Sequence, residues 1–146
     1  MPEIRGVPPR CVLVLDPAAP RWLIANASAV LGASAGAAGA AALGPDLTDA
    51  SGTRWAGIAE IVVPVLAAAP AELAALRTAA AEAGVTALAF PDLAQASPTY
   101  AAFAEAVTRT PTDGIGLHAV ALLGPGNAVR RLTRHLSALA DPVPVP

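Results

Sequence analysis

From Trp22 to Leu43 the chain carries no charged residue, and this stretch follows the apolar run Val12-Leu13-Val14-Leu15. A continuous β-branched and aliphatic run of that length reads as a strand buried on both faces. Asp16-Pro17-Ala18-Ala19-Pro20 breaks it, and the Ala-, Gly- and Ser-rich stretch beyond reads as a helix over about residues 20–43. A helix without charge has no face made for water, so it belongs in a protein interior or in a bilayer. The stretch is long enough to span a bilayer, and Gly32 and Gly36 repeat the small-xxx-small spacing of membrane helix contacts. It nevertheless holds few large apolar side chains, and no basic residue follows until Arg54. The buried-helix reading is preferred and no membrane is expected. Gly32, Gly36 and Ala40 share a face that is expected to approach another backbone closely, either the sheet or a second copy of the chain. Gly44-Pro45 is expected to end the helix.

The composition narrows the class. Hydrophobic residues make up 55% of the 146 positions but aromatics only 3%, so close backbone approach, more than large side chains, has to fill the core. That length is expected to form one α/β domain over residues 1–140, followed by a Pro-rich, extended tail over 141–146. The net charge is −2 and all nine basic residues are Arg, a balance that argues against a protein wrapping an anionic polymer. A single Cys gives no internal disulfide, and Met1-Pro2-Glu3-Ile4-Arg5 lacks the form of a secretion signal, so a cytoplasmic location is expected.

Further along, strands and helices alternate. Residues 1–10 read as a loose arm and 45–59 as a polar loop. Ile61–Leu66 reads as a second strand, placed at a sheet edge because Pro64 cannot donate to a ladder. Helix two starts at Pro70 and stops before Gly84, with Leu73, Leu76 and Ala80 as its apolar stripe. Val85–Phe90 is a third strand, closed by Pro91-Asp92. Ser97-Pro98 is expected to cap a helix over 97–109 that carries Tyr100, Phe103 and Val107. A fourth strand is expected over 117–123, then a turn at Gly124-Pro125-Gly126 and a last helix over 127–139.

The closing segment, Ala119-Val-Ala-Leu-Leu-Gly-Pro-Gly-Asn-Ala-Val-Arg-Arg-Leu-Thr-Arg-His-Leu136, resembles the last strand, turn and helix of the type II peptidyl-tRNA hydrolase fold. The opening strand ending in Asp16 and the helix carrying Ala25-Asn26-Ala27 resemble it too. The chain is more similar still to a bacterial domain-of-unknown-function family sharing that fold. There the helix-one Asn, a loop like Asp49-Ala50-Ser51-Gly52 and a Tyr-containing helix before Thr110-Pro111-Thr112 recur in order. The resemblance covers about residues 11–139 and implies a three-layer α/β/α sandwich around a four-stranded mixed sheet. It carries hydrolase activity poorly. Leu23 stands where the hydrolases have their functional Lys and Ala119 where they have a Thr; only Asp92 matches their Asp. The helix expected over 97–109 replaces a shorter connection, and its apolar stripe is expected to pack over the strand ends.

Open α/β sheets bind ligands beyond the carboxyl ends of parallel strands. Asp16 and Asp92 follow strands one and three, so both are expected to line one crevice, with Trp22 and Asn26 at the start of helix one. Asp92 in a partly apolar crevice is the candidate acid–base group, against the plainer reading that it caps a turn. Asp16 is weighed against turn formation in the same way. His118 is the second catalytic candidate, against a structural or exposed imidazole. The Asn26 amide points either to a ligand or to a hydrogen bond bracing a loop. Trp22 stacks on a ligand or fills volume, and Tyr100 covers the crevice or packs as an ordinary helix residue. Two His and one Cys without paired spacing give no metal site, and Cys11 reads as inert packing. Gly124-Pro125-Gly126 lacks the Lys of a nucleotide loop and the dinucleotide fingerprint, so no cofactor is assigned. Arg130, Arg131, Arg134 and His135 make the last helix basic, which suits a phosphate backbone or a solvated helix end.

The residues thus give an α/β protein with a small-molecule crevice at the strand ends, and they leave open whether it catalyses or only binds. An RNA-facing protein using the arginines of the last helix, and a homodimer formed through helix one, are the alternatives.

Overall fold

Leu117 and Ala119 to Leu122 are all buried, and a strand can hide consecutive residues only with packed layers on both faces. In the computed structural model, which describes residues 9–141, this segment is the inner strand β6 (Leu117–Pro125). Beside it lies β1 (Pro9–Leu15), buried throughout from Cys11 to Leu15. With β4 (Val65–Ala67) and β5 (Thr86–Pro91) they form a four-stranded sheet in the order β4-β1-β6-β5. β1 runs parallel to β4 and antiparallel to β6, and β5 runs antiparallel to β6, so the sheet is mixed.

Side-chain alternation along these strands feeds two cores. Val12, Val14, Val120 and Leu122 meet Leu73, Leu76 and Ala80 of α2 (Pro70–Glu82) and Val129 of α5 (Gly126–Thr133). Leu13, Leu15, Ala119 and Ala121 meet Leu23, Ala27 and Leu31 of α1 (Arg21–Ala37). The result is the expected α/β sandwich. Among the described residues no helix is long and apolar enough to cross a membrane.

The structure revises several sequence expectations. Pro9 and Arg10 belong to β1 and not to a loose arm; residues 1–8, and the tail beyond 141, lie outside the described residues. α1 stops at Ala37, well before Gly44. Gly39 adopts a positive φ of 88°, its N–H donates to the Gly36 carbonyl, and the Ala40 N–H reaches back to the Ala35 carbonyl. This glycine cap closes the helix and turns the chain away. Within the chain the small residues make no close approach to the sheet. A Cβ at Gly32 or Gly36 would meet no atom within 4 Å beyond its own helix. They border an apolar slot of about 320 Å³ whose other walls include Cys11, Ile61, Val63 and Val65.

Within the expected polar loop, β2 (Leu47–Thr48) and β3 (Arg54–Trp55) form a small hairpin. Asp49 organises it, accepting from the Ser51 and Thr53 amides and from the Trp55 indole N–H at 3.0 Å. The second strand shrinks to Val65–Ala67 but lies at the edge, as Pro64 requires. The helix expected over 97–109 is α4 (Tyr100–Arg109), and an unexpected short helix, α3 (Asp92–Ala96), precedes it. Ser97 ends α3 by donating its hydroxyl to the Leu93 carbonyl, and Thr99 caps α4 by accepting from the Ala102 N–H. α4 rests on α3 and buries none of its residues fully, so it does not pack over the strand ends as expected. α5 ends at Thr133. The chain then returns along β4, where Ala67 N–H donates to the Ser137 carbonyl and Leu139 N–H to the Val65 carbonyl.

Candidate functional site

A helix repeat of 3.6 residues stacks positions four apart into nearly axial rows, and α1 shows two of them. Leu23, Ala27, Leu31 and Ala35 are buried against the sheet. One position earlier, Trp22, Asn26, Val30 and Ser34 line an open groove of about 930 Å³. The facing wall is β5 from Ala87 to Pro91, and the far side is made by Ala94, Gln95, the Ser97–Thr99 turn, Tyr100 and Phe103. The rings of Tyr100 and Phe103 meet edge to face at 5.7 Å. Trp22 is 59% exposed and Tyr100 82%, values high for aromatic side chains and consistent with surfaces held ready for contact.

Among the described residues no charged side chain lines this groove. Its polar groups are side-chain amides, hydroxyls and backbone. The Ser34 hydroxyl is taken up within its own helix, donating to the Val30 carbonyl at 2.7 Å. Asn26 braces no loop; among the described residues its amide makes no hydrogen bond, and it faces the groove.

Three of the sequence candidates therefore meet here: Trp22, Asn26 and Tyr100. Asp16, Asp92 and His118 do not line the groove. They gather instead around the start of β6. Asp16 N–H donates to the His118 carbonyl at 3.0 Å and Asp92 N–H to the Gly116 carbonyl at 2.9 Å, so the two aspartates flank the same strand end. The Asp16 carboxylate, however, has a local occupation. Asp16 Oδ1 accepts from the Ala18 N–H at 2.9 Å, the turn-forming role that competes with function at such positions. Asp92 opens α3 and lies against Gly116, where a Cβ would stand 2.9 Å from Asp92 Oδ2. Asp92 Oδ1 and His118 Nε2 are buried without a hydrogen-bond partner among the described residues, and the His118 ring lies 6.4 Å from that of Phe90. The shared crevice expected for both aspartates thus separates into an uncharged groove and a neighbouring polar strand end.

Phe90, which the sequence shows only as the end of a strand, and Phe103, which it shows as an ordinary helix residue, also line the groove. The fourfold spacing of Trp22, Asn26, Val30 and Ser34 was the available signal for one wall. Elsewhere, Asn127, Arg130, Arg131 and Arg134 border a shallow surface depression, while His135 Nε2 lies 2.6 Å from Glu72 Oε1 and ties the segment after α5 to α2. Among the described residues no three His, Cys, Asp or Glu side chains cluster as a metal site would need. Burial raises the pKa of the Cys11 thiol, which suits packing more than reactivity.

A family described as a protein of unknown function, DUF2000, matches residues 9–140. The chain belongs to this family. Among solved structures, a protein of unknown function, Atu0240 from Agrobacterium tumefaciens strain C58, superposes with a TM-score of 0.81 at 17% identity. The match covers 91% of this chain and 98% of that one, so the two proteins share a fold over nearly their whole length. At that identity the likeness speaks for the fold alone. None of the curated proteins matches the chain.

Proposed function

We propose that this DUF2000 chain binds an uncharged small molecule in the groove between α1, β5 and the α3–α4 pair. One observation carries the reading. The sequence holds five aromatic residues, and four of them (Trp22, Phe90, Tyr100 and Phe103) line this groove. A chain whose core is almost entirely aliphatic has gathered four of its five aromatic residues around one opening. Aromatic walls with a few polar groups, in a groove of this volume, are the usual makeup of a small-molecule site.

The uncharged lining favours binding over acid–base catalysis, because a general acid or base has to reach the reacting proton directly or through one water. The ligand itself is expected to carry no net charge, since the groove offers no counter-ion for it. Asn26 and Gln95 supply the amides that would fix its orientation.

A fragment screen by thermal shift tests this, comparing the native chain with Trp22→Ala and Asp92→Asn. A ligand present at about 100 times its Kd stabilises by about 2.7 kcal/mol through mass action. Uncharged aromatic fragments should raise the native melting temperature, lose that effect in Trp22→Ala and keep it in Asp92→Asn. Fragments that stabilise native and Trp22→Ala protein alike would refute the assignment.

A further inference from the structure

The two edges of the sheet are treated differently. β4 is closed off by the chain itself, through the Ala67 N–H to Ser137 carbonyl and Leu139 N–H to Val65 carbonyl bonds. β5 pairs with β6 on one side only, and among the described residues no hydrogen bond reaches its other side. Edge strands are normally blunted by charges, by proline, by bulges or by a covering segment. β5 reads Thr-Ala-Leu-Ala-Phe-Pro, with no charge, and its bulge and Pro91 come only at the end. Its open side also faces the groove. Ala87, Leu88, Ala89, Phe90 and Pro91 all line it, although side chains along a strand alternate between faces. Five consecutive residues can border one groove only when it runs along the strand's edge.

We infer that the ligand of this groove is a short, extended peptide with uncharged side chains, adding as a fifth strand alongside β5. This rests on the groove being a binding site, as proposed above, and names the chemistry it takes. The free edge supplies backbone donors and acceptors in strand register, and the recognition follows the mode of strand addition. The six residues of β5 extend about 20 Å, room for about four or five peptide residues. Alternate ligand side chains would fall toward Trp22 and Val30 on one wall and Tyr100 and Phe103 on the other. Charged peptides are excluded for want of a counter-ion in the lining.

The test uses the full chain, isotopically labelled, with amide spectra recorded against three probes. The first is a pool of acetylated, amidated tetrapeptides built from Ala, Thr, Leu and Phe. The second is the same pool N-methylated at alternate peptide bonds, and the third is indole. The peptide pool should move the Ala87 and Ala89 amides and the Trp22 indole signal, and slow hydrogen exchange along β5. N-methylation, by removing two donors, should weaken binding about tenfold or more. No movement of the 86–91 amides at millimolar peptide, or equal binding of the N-methylated pool, would overturn the inference. Protection of β5 that depends on protein concentration in the absence of peptide would also overturn it, since a second copy would then occupy the edge. If indole moves Trp22 while peptides do nothing, the groove remains a site and only the peptide assignment falls. If no probe moves Trp22, both fall.

Discussion

Gly32 and Gly36 lie inside α1, and replacing them with alanine should stabilise the protein. Glycine in a helix interior is about 0.8–1.0 kcal/mol less favourable than alanine. A geometry needing glycine would show either as a positive φ or as a neighbour too close for a Cβ. Neither holds: positive φ among the described glycines is confined to Gly39, Gly52 and Gly84, and a Cβ at Gly32 or Gly36 meets nothing within 4 Å beyond the helix. Each substitution should therefore add about 1 kcal/mol, and the pair about 2 kcal/mol. For a chain of 146 residues the unfolding entropy is about 0.3 kcal/mol/K, so each step raises Tm by roughly 3 °C. Thermal unfolding followed by circular dichroism at low micromolar protein checks this. Gly57→Ala supplies the contrast, because a Cβ there would stand 1.9 Å from the Gly44 carbonyl oxygen and 2.7 Å from that of Pro45. The same chemical change should lower stability at that position. An unchanged or lower Tm for Gly36→Ala would refute the reasoning and would mean that this helix face is in close contact with something, a second copy of the chain being the obvious occupant.

Two further predictions concern titration. Hydrogen bonds from the Trp55 indole and from the Thr53 and Ser51 amides lower the Asp49 pKa below its ordinary 3.8. A depressed carboxylate stabilises the fold above its unfolded value and loses that contribution as pH falls through the folded one. Acidification through and below the ordinary Asp range should then release Trp55, read as a fluorescence change in a Trp22→Phe background and absent in Asp49→Asn. Cys11 is 3% exposed and its thiol pKa is raised by burial, so iodoacetamide at pH 8 should label it far more slowly in native than in urea-unfolded protein. Equal labelling rates would show that the start of β1 opens readily.

What could be read from the sequence was whatever punctuation made unambiguous. Val12–Leu15 and Ala119–Leu122 announce inner strands because nothing polar interrupts them, and Pro64 excludes a central place for its strand. Pro70 and Gly84 bracket α2, Gly84 with a φ of 69°. α1 was overrun because its sequence offers Gly32, Gly36, Gly39 and Gly44 as possible stops, and only the left-handed turn at Gly39 decides between them. α3 was missed because Pro91-Asp92 also reads as a turn closing the strand. Ser97-Pro98-Thr99 places two hydroxyls around a proline; Ser97, read as the cap of the following helix, closes α3, and Thr99 caps α4. One wall of the groove was legible in the spacing of Trp22 and Asn26. The other was not, because β5 faces α1 through strand order, and order is a property of the assembled sheet.

The core also decides which row of α1 meets the groove. Leu23 and Ala119, far apart in sequence, fall in one cluster with Leu13, Leu15, Ala27 and Phe90, Leu23 at 3% exposure and Ala119 at 0%. A cation at position 23 would have to leave water with no carboxylate among these neighbours to receive it, a loss of several kcal/mol. Leu23 therefore seats α1 on the sheet, and the small, apolar Ala119 completes the surface it rests on. That seating turns the next row of α1, beginning at Trp22, toward β5, where it forms one wall of the groove.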